Sequence, residues 1–303
     1  MMSKPGVFTL ILVTLAWALP VFAQELTPRA YWPAPEGTQV LTLGYIYTSG
    51  DIVPDPSLPI TGVDSKIDTV VLGYLRTISL WGRTANFVVQ LPYSEGETAV
   101  KDLDNDRFKR EYQGMGDLSA TLSVNFLGAP SMTREDFALL RQSPRPILGA
   151  SVKVVAPTGK YDTERFINTG ANRWAIKPEL GYIQPLTGKW LLEADFGVWF
   201  FGDNDNFRGF KREQDPIGSV AVHLVRRFSP GFWISLDGSF YRGGRSKLDG
   251  ERLNDLQRDS KLGLTLVAPI ARGHALKASY SIGSVNDNDE DFYVFTLSYQ
   301  HVF

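Results

Sequence analysis

The chain has 303 residues, carries a formal net charge of −2 and contains no cysteine. The near-neutral charge argues against a nucleic-acid-binding protein, and the lack of cysteine excludes a disulfide framework, a thiolate metal site and a cysteine nucleophile. Aromatic residues make up 12% of the chain, but hydrophobic residues make up only 43%. A chain in which apolar and polar residues alternate has this balance.

The N-terminal residues have the pattern of a secretory signal peptide. Lys4 gives a short basic start, and an apolar run covers Val7–Leu19 before small residues at the expected cleavage site. This run is too short to span a membrane as a helix, and an uncleaved anchor is the alternative. We expect residues 1–23 to be removed, residues 24–37 to form a periplasmic N-terminal segment, and residues 38–303 to form the folded domain.

Apolar and polar residues alternate with a period of two along the rest of the chain. The alternation is clear at 39–47, 85–93, 115–127, 148–156, 174–182, 190–200, 232–240 and 262–270. Weaker segments at 67–79, 217–228 and 275–284, with the terminal segment 291–303, bring the number of predicted strands to twelve. The clear segments are longer than most strands of soluble proteins.

The predicted connections alternate in length. Short turns fall at 79–82, 185–188, 229–231 and 271–273, and longer polar loops fall near 49–65, 94–113, 159–171, 202–215, 242–259 and 285–290. This alternation in an even set of strands is typical of outer-membrane barrels, and a sheet in hydrocarbon must close to pair its backbone groups. We therefore predict an all-β fold, a transmembrane antiparallel up-and-down β-barrel of about twelve strands. Its apolar face points to lipid and its polar face to a wet lumen; a soluble β-barrel, β-sandwich or β-helix is the alternative.

One periplasmic connection is long enough to hold a helix. Thr133 and Asp136 have the spacing of a capping box. Phe137 and Leu140 follow at helical spacing, and Pro144 ends the pattern. The pattern predicts one short periplasmic helix of about two to three turns. It is interpreted either as a plug or partner contact, or as an amphipathic segment that rests against the barrel rim.

Charged residues recur on the face predicted to line the lumen. They are Lys153, Lys177, Glu179, Glu193, Asp195, Asp237, Lys261 and Lys277. Barrels of eight strands are filled by side chains and those of sixteen or more leave a channel, so twelve strands predict a narrow lumen. The charges are interpreted either as a mixed-charge constriction that selects solutes or as a salt-bridge network that stabilises a plugged barrel.

The last predicted strand ends on an aromatic residue. Its alternate apolar residues are Phe295, Leu297, Tyr299 and Phe303, whereas His301 departs from the alternation. This pattern resembles the signature by which the bacterial assembly machinery recognises outer-membrane proteins. We therefore expect this machinery, outer-membrane lipid and lipopolysaccharide as partners, in the bacterial outer membrane.

Several segments together resemble a known family. They are Leu26–Thr38, Asp55–Ile60, Gly114–Leu118, Gly128–Gln142, Lys153–Asp162, Asn168–Leu186, Gly197–Phe207, Arg212–Ile217 and Gly243–Arg245. In this order they are similar to the outer-membrane transporter family named for the MetA (meta-cleavage) pathway of phenol degradation. The resemblance covers essentially the whole mature chain. It implies a small bacterial β-barrel that admits small, often aromatic or apolar, molecules, and it implies no catalytic or ligand residues.

Other chemistry has weaker support in the sequence. His223, His274 and His301 lie on separate late segments, and no G-x-S-x-G nucleophile motif occurs. The aspartate-rich stretches at 203–206 and 286–291 lack the spacing of a calcium loop and are interpreted as solvated loop tips. We expect that the protein is not an enzyme and that it binds no metal or cofactor. An outer-membrane hydrolase is the competing class. The sequence favours a monomeric barrel for passive transport of small apolar or aromatic molecules, with a non-conducting structural or binding barrel as the alternative.

Overall fold

The computed structural model describes residues 27–51, 64–101, 107–165, 167–286 and 292–303. The predicted signal peptide and parts of the predicted loops near 49–65, 94–113 and 285–290 lie outside these residues. Among the described residues, no helix is long and apolar enough to cross a membrane.

The described chain is dominated by strands. The first elements are β1 (Gln39–Asp51), β2 (Asp64–Leu80), β3 (Arg83–Lys101), β4 (Arg107–Met115), β5 (Leu118–Leu127), α1 (Arg134–Gln142), β6 (Ile147–Ala156), β7 (Ala175–Pro185) and β8 (Trp190–Phe201). They are followed by β9 (Asn204–Phe207), β10 (Phe210–Gln214), β11 (Ile217–Ser229), β12 (Phe232–Gly243), β13 (Ser246–Leu248), β14 (Glu251–Arg252), β15 (Gln257–Ala271), β16 (His274–Asn286) and β17 (Phe292–Val302).

Twelve of these strands form a closed antiparallel barrel. Its wall contains β1, β2, β3, β5, β6, β7, β8, β11, β12, β15, β16 and β17, each paired with its neighbour in this order. The first and last strands, β1 and β17, pair from Val40–Val302 to Gly50–Phe292 and close the sheet. The predicted up-and-down barrel of twelve strands is confirmed.

The apolar face of the alternating pattern lies on the outside of the barrel. Leu43 on β1 and Leu264 on β15 have 55% and 54% of their surface exposed. Exposed aromatic residues lie near both ends of the strands: Phe228 and Phe232 stack at the end with the short turns, with their ring centroids 4.9 Å apart, and Trp174 and Phe200 lie at the other end. An apolar band bordered by aromatic rings matches the hydrocarbon core and interfaces of a bilayer. The outer surface is therefore a lipid-facing surface.

The connections show where the sequence pattern was informative and where it was not. The predicted short turns follow β2, β7, β11 and β15 as expected. The predicted loop at 94–113 is wrong in part, because β3 continues to Lys101 and pairs with β4. The predicted loops at 202–215 and 242–259 contain a separate four-stranded sheet of β9, β10, β13 and β14. These strands extend beyond the membrane, where no apolar face is required, so the period-two pattern does not mark them.

The predicted periplasmic helix is confirmed as α1. Thr133 is its N-cap: the Asp136 backbone N–H donates to Thr133 Oγ1 at 3.2 Å, and the Thr133 backbone N–H donates to the Asp136 carboxylate at 3.2 Å. Leu140 is buried against the N-terminal segment and the barrel wall, with Phe137 packed beside it. Arg134, Phe137 and Arg141 of this helix also line the cavity inside the barrel. Whether it acts as a plug or partner contact, or as a segment on the rim, stays a prediction.

Candidate functional site

The segment that precedes β1 lies inside the barrel. The Tyr31 side chain is 2% exposed, its hydroxyl lies 2.9 Å from Ser151 Oγ on β6, and it donates to Glu179 Oε1 on β7 at 3.1 Å. Asn125 Nδ2 on β5 donates to the Tyr31 carbonyl at 2.9 Å. The Arg29 backbone N–H donates to Glu193 Oε2 on β8 at 2.6 Å. This segment therefore crosses the lumen to the wall formed by β5, β6, β7 and β8.

Two glycines make room for the aromatic ring. A methyl group placed on Gly149 or Gly181 would overlap the ring of Tyr31. Both glycines face inward on the paired strands β6 and β7, where they occupy the same register. Because any side chain at these positions would fill the space of the ring, the sequence of the wall is adapted to the inserted segment.

The wall opposite β1 is packed from end to end. At the periplasmic end, a cluster of buried residues joins the N-terminal segment and α1 to inward side chains of the wall; it contains Tyr31, Trp32, Ala129, Met132, Leu140, Ile147, Ile183, Leu191, Val225, Trp233 and Val267. At the extracellular end, Trp199 is fully buried among Val155, Ala175, Ile217 and Tyr241. We call the region between β5 and β12 the packed half of the lumen.

A charged network fills the middle of the packed half. Lys177 Nζ lies 2.7 Å from Glu179 Oε2. His223, which has no exposed surface, has its Nδ1 2.8 Å from Asp237 Oδ1. Thr265 Oγ1 donates to the second Asp237 oxygen at 2.7 Å.

Sequence reasoning misses the role of His223, because the segment around it offers no visible partner. The strand register brings His223 beside Glu193 on β8 and Asp237 on β12. Its position on the inward face of β11, among predicted inward charges, is the signal available in the sequence.

The structure separates the eight predicted lumen residues into two groups. Five lie in the packed half: Lys177, Glu179, Glu193, Asp195 and Asp237. Three border an open cavity: Lys153, Lys261 and Lys277. All the acids of the predicted set are thus in the packed half, whereas three of the four lysines border the cavity. Whether these residues act as a constriction or as a stabilising network stays a prediction.

The open cavity has a volume of about 1730 Å³ and runs beside β1, β2, β3, β16 and β17. Its lining on β1 consists of small or apolar side chains, namely Val40, Thr42, Gly44, Ile46 and Thr48. Lining residues reach from Phe303 and Gly273 at the periplasmic end to Ser94 and Tyr112 at the extracellular end. The cavity therefore extends along most of the height of the barrel.

The charged side chains around this cavity are almost all basic. Among the described residues they are Arg29, Arg134, Arg141, Lys153, Lys189, Arg227, Lys261, Arg272 and Lys277, with Asp117 as the acidic member. Asp117 already accepts hydrogen bonds from the backbone N–H groups of Gly159 and Ala171, both at 2.7 Å. Confinement in a low-dielectric wall strengthens the field of such charges, so the cavity favours anions.

Three of these arginines form a group at the periplasmic end, which we call the arginine cluster: Arg29, Arg141 and Arg227. The guanidinium carbons of Arg29 and Arg227 lie 4.4 and 5.5 Å from the ring centroid of Trp32. Arg227 also donates to the Arg141 carbonyl at 2.8 Å. Burial lowers the pKa of Arg29 to about 10; Glu193 opposes this, whereas the charges of Arg227 and Arg141 add to it. The cluster is thus a site where positive charge is crowded.

Three of the predicted assembly residues, Phe295, Leu297 and Tyr299, lie on the outer face of β17, whereas Phe303 follows the strand and borders the open cavity. Phe295, Leu297, Tyr299 and Phe303 have between 37% and 57% of their surface exposed. Their strand pairs with β1 and β16, so it is part of the closed wall. Their recognition by the assembly machinery stays a prediction.

A closed twelve-stranded barrel with an apolar exterior and a charged interior defines the class of outer-membrane β-barrels. The chain belongs to the family described as "Putative MetA-pathway of phenol degradation", whose model matches residues 40–294. The resemblance seen in the sequence is thereby confirmed, and the fold supports the predicted location in the outer membrane. A comparison with curated proteins gave no match.

Two solved structures have a similar fold. A crystal structure of an outer membrane channel from Pseudomonas putida F1 is 21% identical, with a TM-score of 0.77, and the match covers 92% of this chain and 100% of that one. The β domain of the Bordetella autotransporter BrkA is 13% identical, with a TM-score of 0.52, and the match covers 88% of this chain and 100% of that one. At these identities the likeness concerns the fold.

Proposed function

We propose that the protein is a passive pathway for small apolar or aromatic molecules across the outer membrane. The observation that carries this proposal is the open cavity of about 1730 Å³, which borders β1, β2 and β3 along most of the barrel height. On β1 its lining consists of Thr, Val, Gly and Ile residues without charge, so this side of the cavity suits the apolar body of a solute. The similar protein from Pseudomonas putida is an outer membrane channel, which agrees with this proposal.

The packed half has a structural role in this proposal. Its acids bond to the N-terminal segment and to neighbouring basic groups, as Glu193 does with the Arg29 backbone and Glu179 with Lys177. We propose that these bonds fix the inserted segment and narrow the lumen, while Lys153, Lys261 and Lys277 set the charge of the open path. Outer-membrane lipid surrounds the barrel, and the proposed further partners are lipopolysaccharide outside and the assembly machinery through β17. The pathway needs no catalysis.

A non-conducting barrel is the second candidate. The observation that favours it is the N-terminal segment, which fills part of the lumen through Tyr31 and Trp32. In that case the barrel would stabilise the membrane or present its extracellular sheet to a partner. The two candidates differ in whether a solute crosses the outer membrane through the barrel.

Uptake by intact cells separates the candidates. The chain is expressed in a porin-deficient Gram-negative host with complete lipopolysaccharide, and uptake of radiolabelled benzyl alcohol is measured at low concentration. We expect faster uptake than in cells without the protein. A matched control carries Val71→Trp, which fills the cavity from β2. Equal uptake by cells with the wild-type protein, cells with the variant and cells with neither would favour the non-conducting barrel.

A further inference from the structure

The arginine cluster and the neighbouring Trp32 contain donors that the protein itself leaves unused. Trp32 Nε1, Arg141 Nε and Arg227 Nε are buried and have no hydrogen-bond partner among the described residues. A buried donor without an acceptor costs about 1 to 3 kcal/mol, and most such groups in proteins are satisfied. These three nitrogens are enclosed by protein, so they show that acceptors are scarce around the cluster, and a solute in the cavity meets the guanidinium groups that line it.

The charges point to the same conclusion. Within the described parts of the chain, neither Arg29, Arg141 nor Arg227 forms a salt bridge. The nearest acid to influence Arg29 is Glu193, which accepts from its backbone N–H. All three arginines line the open cavity. A group with negative charge in the cavity would therefore relieve the crowding of positive charge.

The surroundings of the cluster limit the shape of this ligand. Aromatic rings flank the guanidinium groups: Arg29 lies 5.4 Å from the Trp233 ring centroid, and Arg141 lies 5.0 Å from that of Phe137. The cluster lies at the periplasmic end of the cavity, whose lining on β1 is small or apolar. Guanidinium groups match the geometry of a carboxylate, and the rings suit an aromatic body.

We propose that the cavity binds aromatic acids in their carboxylate form, with the carboxylate held by the guanidinium groups of the arginine cluster that line it. This inference rests on the proposed function, since it names the solute class of the same pathway. The carboxylate accepts from the guanidinium groups of Arg29, Arg141 and Arg227, and the ring packs beside Trp32 and Phe137. The lysines Lys153, Lys261 and Lys277 along the cavity favour the approach of such an anion.

Calorimetry on the full-length protein in nanodiscs tests the proposal, with benzoate as the probe and empty nanodiscs as the blank. Benzamide has the same size without the charge, and we expect it to bind at least tenfold more weakly, because a hydrogen bond to a charged group is worth about 1.5 to 3 kcal/mol. Equal binding of both compounds would overturn the proposal. This comparison needs no variant, so it does not depend on the folding of a mutant.

Variants locate the site. Arg141→Gln and Arg227→Gln should each weaken benzoate binding about tenfold and leave benzamide unchanged within twofold. Arg227→Lys, which keeps the charge, should retain more affinity than Arg227→Gln. Arg83→Gln is the matched control, because Arg83 lies exposed at the same rim and outside the cavity lining. Heat-modifiable migration on gels verifies that each barrel is folded. Unchanged benzoate affinity in both glutamine variants would place the anion elsewhere and refute the assignment.

Two further probes define the class of ligand. Inorganic phosphate should bind more weakly than benzoate, because it lacks the ring; equal affinity would refute the aromatic part of the proposal. Benzyl alcohol uptake by cells separates this inference from the proposed function. If cells take up benzyl alcohol and the purified protein does not bind benzoate, the inference fails and the pathway stands. If the protein does not increase the uptake of benzyl alcohol by cells, the proposed function fails, whatever the result with benzoate.

Discussion

The contact between Tyr31 and the two inward glycines gives a sharp test of the inserted segment. In Gly181→Ala the new methyl group would overlap the Tyr31 ring and would lie 2.7 Å from Asp195 Oδ1. The backbone of β7 has little freedom to adjust, because it is paired with β6 and β8. The ring must therefore move, and with it the hydrogen bonds to Ser151 and Glu179.

The size of the effect follows from the cost of overpacking. Extra methyl groups in well-packed interiors cost about 1 to 3 kcal/mol. A cost of about 2 kcal/mol on the seated state raises the ratio of displaced to seated segment about thirtyfold. The lumen should then open more often, so the mean conductance in planar bilayers should rise.

Trypsin provides the direct assay. Cleavage after Arg29 requires the segment to leave the lumen, and its rate follows the displaced population when displacement is fast. We expect the rate to rise about thirtyfold in Gly181→Ala. Gly218→Ala is the matched control, because the nearest atom to its new methyl group is 3.9 Å away. In a Tyr31→Ala background, Gly181→Ala should add little, because the two residues are in contact. If folded Gly181→Ala is cleaved as slowly as wild type and Gly218→Ala, Tyr31 does not occupy this position.

Three more predictions concern stability. Leu43→Arg places a charge on the lipid-facing surface and should lower the free energy of unfolding by about 2 to 4 kcal/mol, measured in urea from vesicles. Thr42→Arg places the charge in the cavity and should lower it clearly less. Equal losses would contradict the assigned faces. Trp199→Ala removes a fully buried ring and should cost about 3 to 5 kcal/mol, while Trp81→Ala, whose ring is 85% exposed, should cost under about 0.5 kcal/mol. Thr133→Ala removes the cap of α1 and should speed amide exchange in that helix about fivefold, for a loss of about 1 kcal/mol; unchanged exchange would mean that the cap contributes nothing.

The barrel wall could be predicted from the sequence because lipid imposes a strict rule on it. Every second residue of a membrane-spanning strand must be apolar, and Leu43 and Leu264 follow that rule. The helix could be predicted for a similar reason, since Thr133 and Asp136 form a local motif of adjacent turns. Outside the membrane the rule ends, and β4 and β10 therefore left no trace in the pattern.

The contents of the lumen could be predicted only in part. The inward side of Lys177 or Glu193 follows from alternation, but alternation does not say which charges meet across strands. The pairing of His223 with Asp237 depends on the register of β11 and β12. The position of Tyr31 depends on contacts more than a hundred residues away in the chain, such as that with Ser151. The inward glycines Gly149 and Gly181 were the one local sign that something large lies against them.

The course of the N-terminal segment has a consequence for the shape of the barrel. The segment is attached to the start of β1 and is anchored by Tyr31 on the far side, at β6 and β7. It connects two opposite parts of the barrel wall through the lumen and fixes the distance between them. A barrel of twelve strands can have a flattened or a round cross-section, and this contact favours one of them. The width of the remaining passage is therefore set by a part of the chain that is not in the wall.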